Sequence, residues 1–150
     1  MKSLLLGNPV LALGALAWLL AQIIKVLLNA VQRKTWDLKI LLSSGGMPSS
    51  HSAFVCAVAA SIAQLYGLGG PLFALAAALA LVVMYDACNV RRAAGEQAKV
   101  LNYLLNHLDQ ISPELAGQAL QELLGHTPLQ VFMGALLGIT VGAGGGFWLK

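Results

Sequence analysis

A short glycine- and serine-rich stretch directly precedes a long apolar run, and its residue types suit phosphate chemistry. It reads Gly-Gly-Met-Pro-Ser-Ser-His-Ser-Ala and spans residues 45–53. Glycines permit positive φ, so successive backbone N–H groups can converge on an anion, while the serines add hydroxyl donors. His51 then opens a predicted helix, whose first N–H groups favour negative charge. The stretch indicates either a phosphate-holding turn with a proton donor or an ordinary turn whose serines cap the helix.

A second histidine stands at the entrance of the last apolar run. His126 is followed by Thr127 and Pro128, and proline is favoured in the first turn of a helix. We therefore expect His126 immediately before that turn. Gln130 lies four residues further on and shares a helical face with His126.

Two adjacent arginines, Arg91 and Arg92, end the third apolar run. Asp86 lies one turn inside that run and five residues before Arg91. An acid in such a place usually has a basic partner or a functional role, so we expect an ion pair or hydrogen bond that orients one arginine. Adjacent helical residues point about 100° apart, which leaves open which arginine meets a ligand.

These groups form a set that is suited to phosphoryl transfer. One histidine can attack phosphorus in line while the other protonates the leaving oxygen. The planar arginine forks and the backbone N–H groups can hold the equatorial oxygens. Because His51 and His126 have no nearby carboxylate apart from Asp86, the sequence predicts a site without a metal or other cofactor.

The elements that must position these residues are membrane helices. The 150 residues form one predicted domain, 58% hydrophobic and only 10% charged, with a mean hydropathy of +0.76. The uncharged runs have membrane-spanning length. We predict an all-α integral membrane bundle of about four transmembrane helices, at about residues 3–32, 49–66, 71–88 and 127–149.

Two amphipathic helices are predicted between transmembrane helices three and four, at about 92–108 and 113–124. Apolar residues recur at i, i+3 and i+4 in each. They are expected to form a cytoplasmic helical hairpin over the membrane face. The segment 35–44 carries a tryptophan and an apolar run and is predicted to lie at the interface.

Basic residues concentrate in the first and third predicted loops, and the positive-inside rule places those loops in the cytoplasm. The site is therefore expected at the cytoplasmic face of an inner or plasma membrane. Lys25 lies near that interface, where it can either snorkel or support the site. The few basic residues lack interleaved aromatics, which argues against nucleic-acid binding.

Glycines recur every fourth residue in the last helix, at positions 134, 138, 142 and 146. Small residues at this spacing permit close helix approach in lipid. The glycine face is predicted to pack within the bundle or to form a homodimer.

The motifs together resemble a known superfamily. Pro48-Ser49-Ser50-His51 is similar to the Pro-Ser-Gly-His motif of the type 2 phosphatidic acid phosphatase and vanadium-dependent haloperoxidase superfamily. The segment 125–131, with the glycines after it, is similar to that superfamily's last motif. The whole chain, including Tyr85-Asp86 and Val90-Arg91-Arg92, resembles its small divergent membrane branch.

The resemblance implies a phosphohistidine mechanism on a lipid phosphate. His126 would be the nucleophile, His51 the general acid, and Gln130 the partner of the other His126 nitrogen. The phosphate would be held by Gly46, Ser49, Ser50 and either Arg91 or Arg92, with Asp86 and Lys25 in support.

The chain also departs from the superfamily pattern. Ser50 replaces a glycine, no Lys-x6-Arg-Pro motif is present, and no Ser-Arg pair directly precedes His126. Gln130 replaces an acid, so it can accept a hydrogen bond from the histidine but cannot stabilise an imidazolium as a carboxylate would. The leading hypothesis is a membrane phosphatase acting on a lipid or polyprenyl phosphate or diphosphate. The alternatives are a non-catalytic protein that binds or moves phosphorylated lipids and a purely structural membrane subunit.

Overall fold

The computed structural model describes residues 7–34, 46–108 and 125–148, and these residues confirm the all-α class. Within these described residues, five α-helices follow one another, and a π-helical turn at Asp86–Val90 joins the third to the fourth. The helices are α1 (Pro9–Arg33), α2 (Ser50–Tyr66), α3 (Pro71–Tyr85), α4 (Arg91–Leu108) and α5 (Pro128–Trp148).

The bundle has the residue distribution of a membrane protein. Its core is made of alanines, among them Ala17, Ala21, Ala53 and Ala57, while large side chains such as Leu75 and Phe132 point outward. In the part of the chain that the structure describes, three helical stretches are long and apolar enough to cross a membrane, at Pro9–Gln32, Pro71–Leu105 and Pro128–Phe147, and α2 is a shorter apolar helix. An integral membrane bundle of about four helices is thus confirmed.

Helix α2 lies at the centre of the bundle and packs against α5, α1 and α3. The glycine face of α5 makes the closest of these contacts. A Cβ atom at Gly134, Gly138 or Gly142 would overlap the carbonyl oxygen of Ser49, Ala53 or Ala57, respectively. Since the glycine face is filled by α2 of the same chain, the predicted homodimer would need another surface, and it stays a prediction.

Helices α3 and α4 are joined through the π-helical turn into one continuous helical stretch, so the break expected between residues 88 and 92 is absent, while the hairpin with residues 113–124 stays a prediction. The sequence between Tyr85 and Arg91 contains no glycine or proline, so the backbone accommodates one wider turn and continues as a helix. The second predicted amphipathic helix, at 113–124, and the interfacial segment 35–44 lie outside the described residues, as do residues 1–6.

Local capping explains where α1 begins. Asn8 accepts hydrogen bonds from the backbone N–H groups of Val10 and Leu11 (3.1 and 3.2 Å), and Pro9 takes the first helical position. The helix ends at Lys34, which adopts a left-handed conformation. This helix carries Lys25 to the level of the candidate site.

Candidate functional site

The candidate site is assembled where three chain segments meet at one end of the bundle. The backbone N–H of Ser49, before α2, donates to the carbonyl of Gln130 in α5 (3.0 Å). The backbone N–H of His126 donates to the carbonyl of Ala87 in the π-helical turn (3.1 Å). These two hydrogen bonds fix both predicted histidine segments relative to each other and to the turn that carries Asp86.

His126 is buried, with 2% of its surface exposed, and its imidazole contacts the side chain of Gln130. Nδ1 lies 3.2 Å from Gln130 Oε1, and the Thr127 backbone N–H donates to the same oxygen (3.0 Å). Because Thr127 supplies a donor, the facing amide atom of Gln130 must be oxygen. Nδ1 must then carry the proton in this contact. The neutral ring is left with its lone pair on Nε2, the nitrogen that a nucleophile would use.

Gln130 also closes a capping box at the start of α5. Its backbone N–H donates to Thr127 Oγ1 (3.3 Å), while its side chain accepts from the Thr127 N–H. The sequence signal for this reciprocal pair is Thr-Pro-Leu-Gln at residues 127–130, a capping-box pattern that was not among the predicted features. The same amide therefore holds both the helix start and the imidazole.

The pKa of His126 is lowered from the usual histidine value, chiefly because burial penalises the charged ring. The hydrogen bond with Gln130 opposes this shift, while the positive charges of Lys25, His51 and Arg91 add to it. The imidazole is consequently neutral at physiological pH. A neutral, oriented Nε2 is the form required for attack on phosphorus.

Lys25 lies inside the bundle rather than snorkelling to the surface, since only 2% of its area is exposed. Its aliphatic stem packs beside Gly46, where an added Cβ would lie 3.1 Å from Lys25 Cγ. Gly46 has φ +97°, a conformation that favours glycine. The snorkelling interpretation is therefore wrong, and Lys25 faces the glycine turn.

His51 is exposed at the first turn of α2, and the charges of Arg91, Lys25 and Asp86 lie close enough to act on it. The same cations act on His126. The structure thus brings both histidines together with one lysine and one arginine. That group presents positive charge and hydrogen-bond donors to an anion.

The expected partner of Asp86 is confirmed as Arg91, whose Nε lies 2.8 Å from Asp86 Oδ2. Arg92 is placed differently. Its backbone lies against Gly125, where any Cβ would overlap it. The charge of Arg91 acts on both histidines, so Arg91 is the arginine that we expect at the site.

The two predicted phosphate-binding serines are buried. Ser49 is fully covered and caps α2, accepting from the Ser52 backbone N–H (3.4 Å) and from the Ser52 hydroxyl (3.0 Å). Ser49 thus takes the capping role that the sequence left open, and the contact of either serine with phosphate stays a prediction. Ser50 is 3% exposed and lies beside it.

Sequence reasoning missed a polar stripe on α1 that includes Lys25. Gln22, Lys25 and Asn29 are all buried, at 5%, 2% and 8% exposure. Their i, i+3, i+7 spacing inside an apolar helix was the available signal. This stripe places polar groups along the side of α1 that faces the bundle.

Within residues 7–34, 46–108 and 125–148, no group of three or more histidines, cysteines or acids is arranged to hold a metal ion.

Gln130 is expected to act through the His126 ring, and two substitutions separate its effects. Gln130→Leu removes the oxygen that fixes the ring, so turnover should fall about ten- to a hundredfold at every pH. Gln130→Glu keeps both hydrogen bonds and adds negative charge, which raises the pKa of His126 and moves the acidic limb of kcat/KM to higher pH. Complete pH–rate profiles measure both effects. Identical profiles for the two variants would contradict this role.

Comparison with known proteins gives a family and one named relative. A family model described as "Divergent PAP2 family" matches residues 6–141. The chain is 41% identical over 145 residues to "Uncharacterized membrane protein YuiD" of Bacillus subtilis (strain 168), covering 90% of this chain and 92% of that protein. No solved structure matches. Because the family model spans the site and nearly the whole bundle, this chain belongs to the divergent PAP2 family of membrane proteins.

Proposed function

We propose that the protein is a membrane phosphatase that hydrolyses a lipid or polyprenyl phosphate or diphosphate through a phosphohistidine intermediate. The observation that carries this proposal is the His126–Gln130 contact, which leaves Nε2 unprotonated in a ring that lies within electrostatic reach of Lys25 and Arg91. Membership of a PAP2-related family supports the same chemistry. The apolar bundle supports a substrate presented at the membrane.

In the first half-reaction, the lone pair of His126 Nε2 attacks phosphorus in line and the P–O bond to the lipid breaks. His51 carries a proton once the phosphate anion is bound beside it, since a nearby negative charge favours the charged ring. It transfers this proton to the departing oxygen, so the products are phosphorylated His126 and the lipid alcohol from a monoester or the lipid monophosphate from a diphosphate. Lys25, Arg91 and the backbone N–H of Gly46 hold the non-bridging oxygens as charge develops.

In the second half-reaction, water attacks the phosphoryl group and the P–N bond breaks. Neutral His51 takes the proton from the water, which restores its charged form, and His126 recovers its lone pair. Inorganic phosphate is the product. Each histidine thus returns to its starting protonation state, and no metal enters the proposed cycle.

A second candidate is a protein that binds or moves phosphorylated lipids without hydrolysing them. The observation that favours it is the neutral amide of Gln130 against the His126 ring, since a carboxylate would stabilise the positive ring of the transition state better. Tight binding of a lipid phosphate without phosphate release would establish this function.

Phosphate release by the purified protein tests the proposal. Phosphatidic acid, phosphatidylglycerophosphate, undecaprenyl diphosphate and a chromogenic phosphate ester would be compared, with EDTA and with and without vanadate. We expect release that survives EDTA and is inhibited by vanadate, which mimics the five-coordinate phosphoryl group. Release that requires a divalent metal would contradict a phosphohistidine route, and no release from the panel would favour the binding function.

Lys25→Met should weaken substrate binding about tenfold, because one charge-assisted contact to phosphate is lost. It should also raise the pKa of His126 by removing a nearby cation, so the acidic limb of kcat/KM should move to higher pH. Lys99→Met is the matched control, since Lys99 pairs with Glu96 on α4 (3.1 Å). Equal KM values and pH profiles in the two variants would exclude Lys25 from the site.

The cytoplasmic location of the site remains part of the proposal, as does a homodimer. The accessibility of single cysteines introduced beside His51, in sealed cells and in inverted vesicles, distinguishes the two faces. Labelling only in inverted vesicles would support a cytoplasmic site. Labelling in sealed cells would place the site outside.

A further inference from the structure

A groove of about 710 Å³ runs between α3 and α5 on the outer side of the bundle. Its walls are apolar side chains from the two helices, and they include Val82 and Phe132, which are 66% and 62% exposed. Both walls lie within stretches apolar enough to cross a membrane. The groove volume falls within the range of roughly 300–1,000 Å³ that is usual for ligand sites.

One end of the groove reaches the residues that assemble the candidate site. Asn89 and Pro128 line it there. Asn89 belongs to the π-helical turn, between Ala87, which holds the His126 backbone, and Arg91. Pro128 follows His126 by two residues and begins α5. The groove and the positively charged site are therefore built from the same two segments.

We propose that this groove holds the hydrocarbon chain attached to the substrate phosphate, an inference that rests on the proposed phosphatase function. The charge distribution selects this occupant: the groove walls are apolar, while Lys25 and Arg91 supply positive charge at the adjoining site. A lipid phosphate has the matching distribution, with an anionic head and an apolar tail. Its head reaches His126 while its tail lies between α3 and α5.

The groove contributes to the orientation of the substrate more than to its affinity. Moving a chain from the bilayer into an apolar groove gives little hydrophobic gain, because lipid tails are as apolar as the walls. The groove therefore orients the phosphate for attack by His126 instead of supplying bulk affinity. The substrate enters sideways from the membrane, and long-chain phosphates are turned over faster than short ones.

Filling the groove tests the inference. Ala135 lines the groove on α5, whereas the next residue, Leu136, faces outward and does not line it. Ala135→Trp should lower kcat/KM for dodecyl phosphate at least tenfold and leave butyl phosphate within twofold of the parent protein. Leu136→Trp is the matched control and should leave both substrates unchanged. Similar losses in the two variants, or an equal loss on both substrates in Ala135→Trp, would overturn the inference.

A second variant covers the case in which Ala135→Trp does not fold. Val82 lines the opposite wall and is already 66% exposed, so Val82→Trp narrows the groove without displacing the core. It should show the same chain-length effect. An unchanged preference for dodecyl over butyl phosphate in this folded variant would contradict the inference.

A binding measurement separates failure of the groove from failure of catalysis. Dodecyl phosphate with a photoreactive diazirine near the chain end should label peptides of α3 and α5 from the groove, and excess dodecyl phosphate should compete better than dodecanol. Groove labelling without phosphate release would exclude the phosphatase function but support a lipid-phosphate binding site in the groove. Labelling mainly on α1, or equal competition by the alcohol, would overturn the groove assignment.

Discussion

His126→Ala should lower phosphate release at least about a thousandfold, because the substitution removes the nucleophile itself. The variant should fold, since the His126 backbone N–H still donates to Ala87 and the Thr127–Gln130 capping box is retained. Phosphate release under saturating lipid phosphate measures the effect.

His107→Ala is the matched control, because the sequence places His107 on α4 and away from both motifs. It should retain parent activity. Lipid-phosphate binding by His126→Ala should persist, since Lys25 and Arg91 remain. Residual activity within tenfold of the parent protein would show that His126 is not the nucleophile.

Gly138→Leu should destabilise the bundle by more than about 4 kcal/mol, enough to prevent recovery of folded protein. A side chain at Gly138 overlaps the carbonyl oxygen of Ala53, a backbone atom that cannot move without separating α5 from α2. His51 lies in α2 and His126 directly precedes α5, so separation of the two helices would also dismantle the site. Thermal unfolding in detergent and the yield of monodisperse protein measure the loss.

Gly144 on the same helix provides the control. A Cβ atom at Gly144 meets nothing within 4 Å, and the residue is exposed. Gly144→Leu should therefore fold with a Tm close to that of the parent protein. If Gly138→Leu and Gly144→Leu had the same stability, the α2–α5 contact along the glycine face would be disproved.

The helical architecture followed from the sequence because apolar runs of membrane length leave few alternatives. The Asp86–Arg91 pair was also predictable, since an acid inside such a run requires a partner. Spacing likewise placed Gln130 beside His126. Each of these predictions depends only on local information, namely the period of one helix or the length of one apolar run.

The remaining features depend on contacts between distant segments. The π-helical turn at Asp86–Val90 contains no glycine or proline that would predict it. The carbonyl of Ala87 in this turn accepts a hydrogen bond from the backbone N–H of His126, which lies 39 residues further along the chain. For Lys25 the sequence left snorkelling and a supporting role open, because its position in α1 gives no sign of Gly46, which packs beside it. By sequence Ser49 could cap a helix or bind an anion, and only the structure shows that it caps α2 and is buried against α5.

The relation between the glycine face and the site also emerges from the three-dimensional arrangement. The sequence left two roles open for the glycine repeat at positions 134–146, packing within the bundle or contact with a second copy. In the structure it brings α5 against α2, and the same contact continues to the Ser49–Gln130 hydrogen bond beside the histidines. The contact between α2 and α5 therefore provides the close helix packing and also positions the candidate nucleophile.

The central claim is tested most directly by trapping the covalent intermediate. Purified protein would be mixed with a lipid phosphate radiolabelled on phosphorus, quenched in alkali within milliseconds, and digested for peptide mapping. We predict an acid-labile, alkali-stable label on the peptide that contains His126, absent from His126→Ala and retained in His107→Ala. Rapid phosphate release with no protein-bound label at any quench time, or a label on another residue, would contradict the phosphohistidine mechanism.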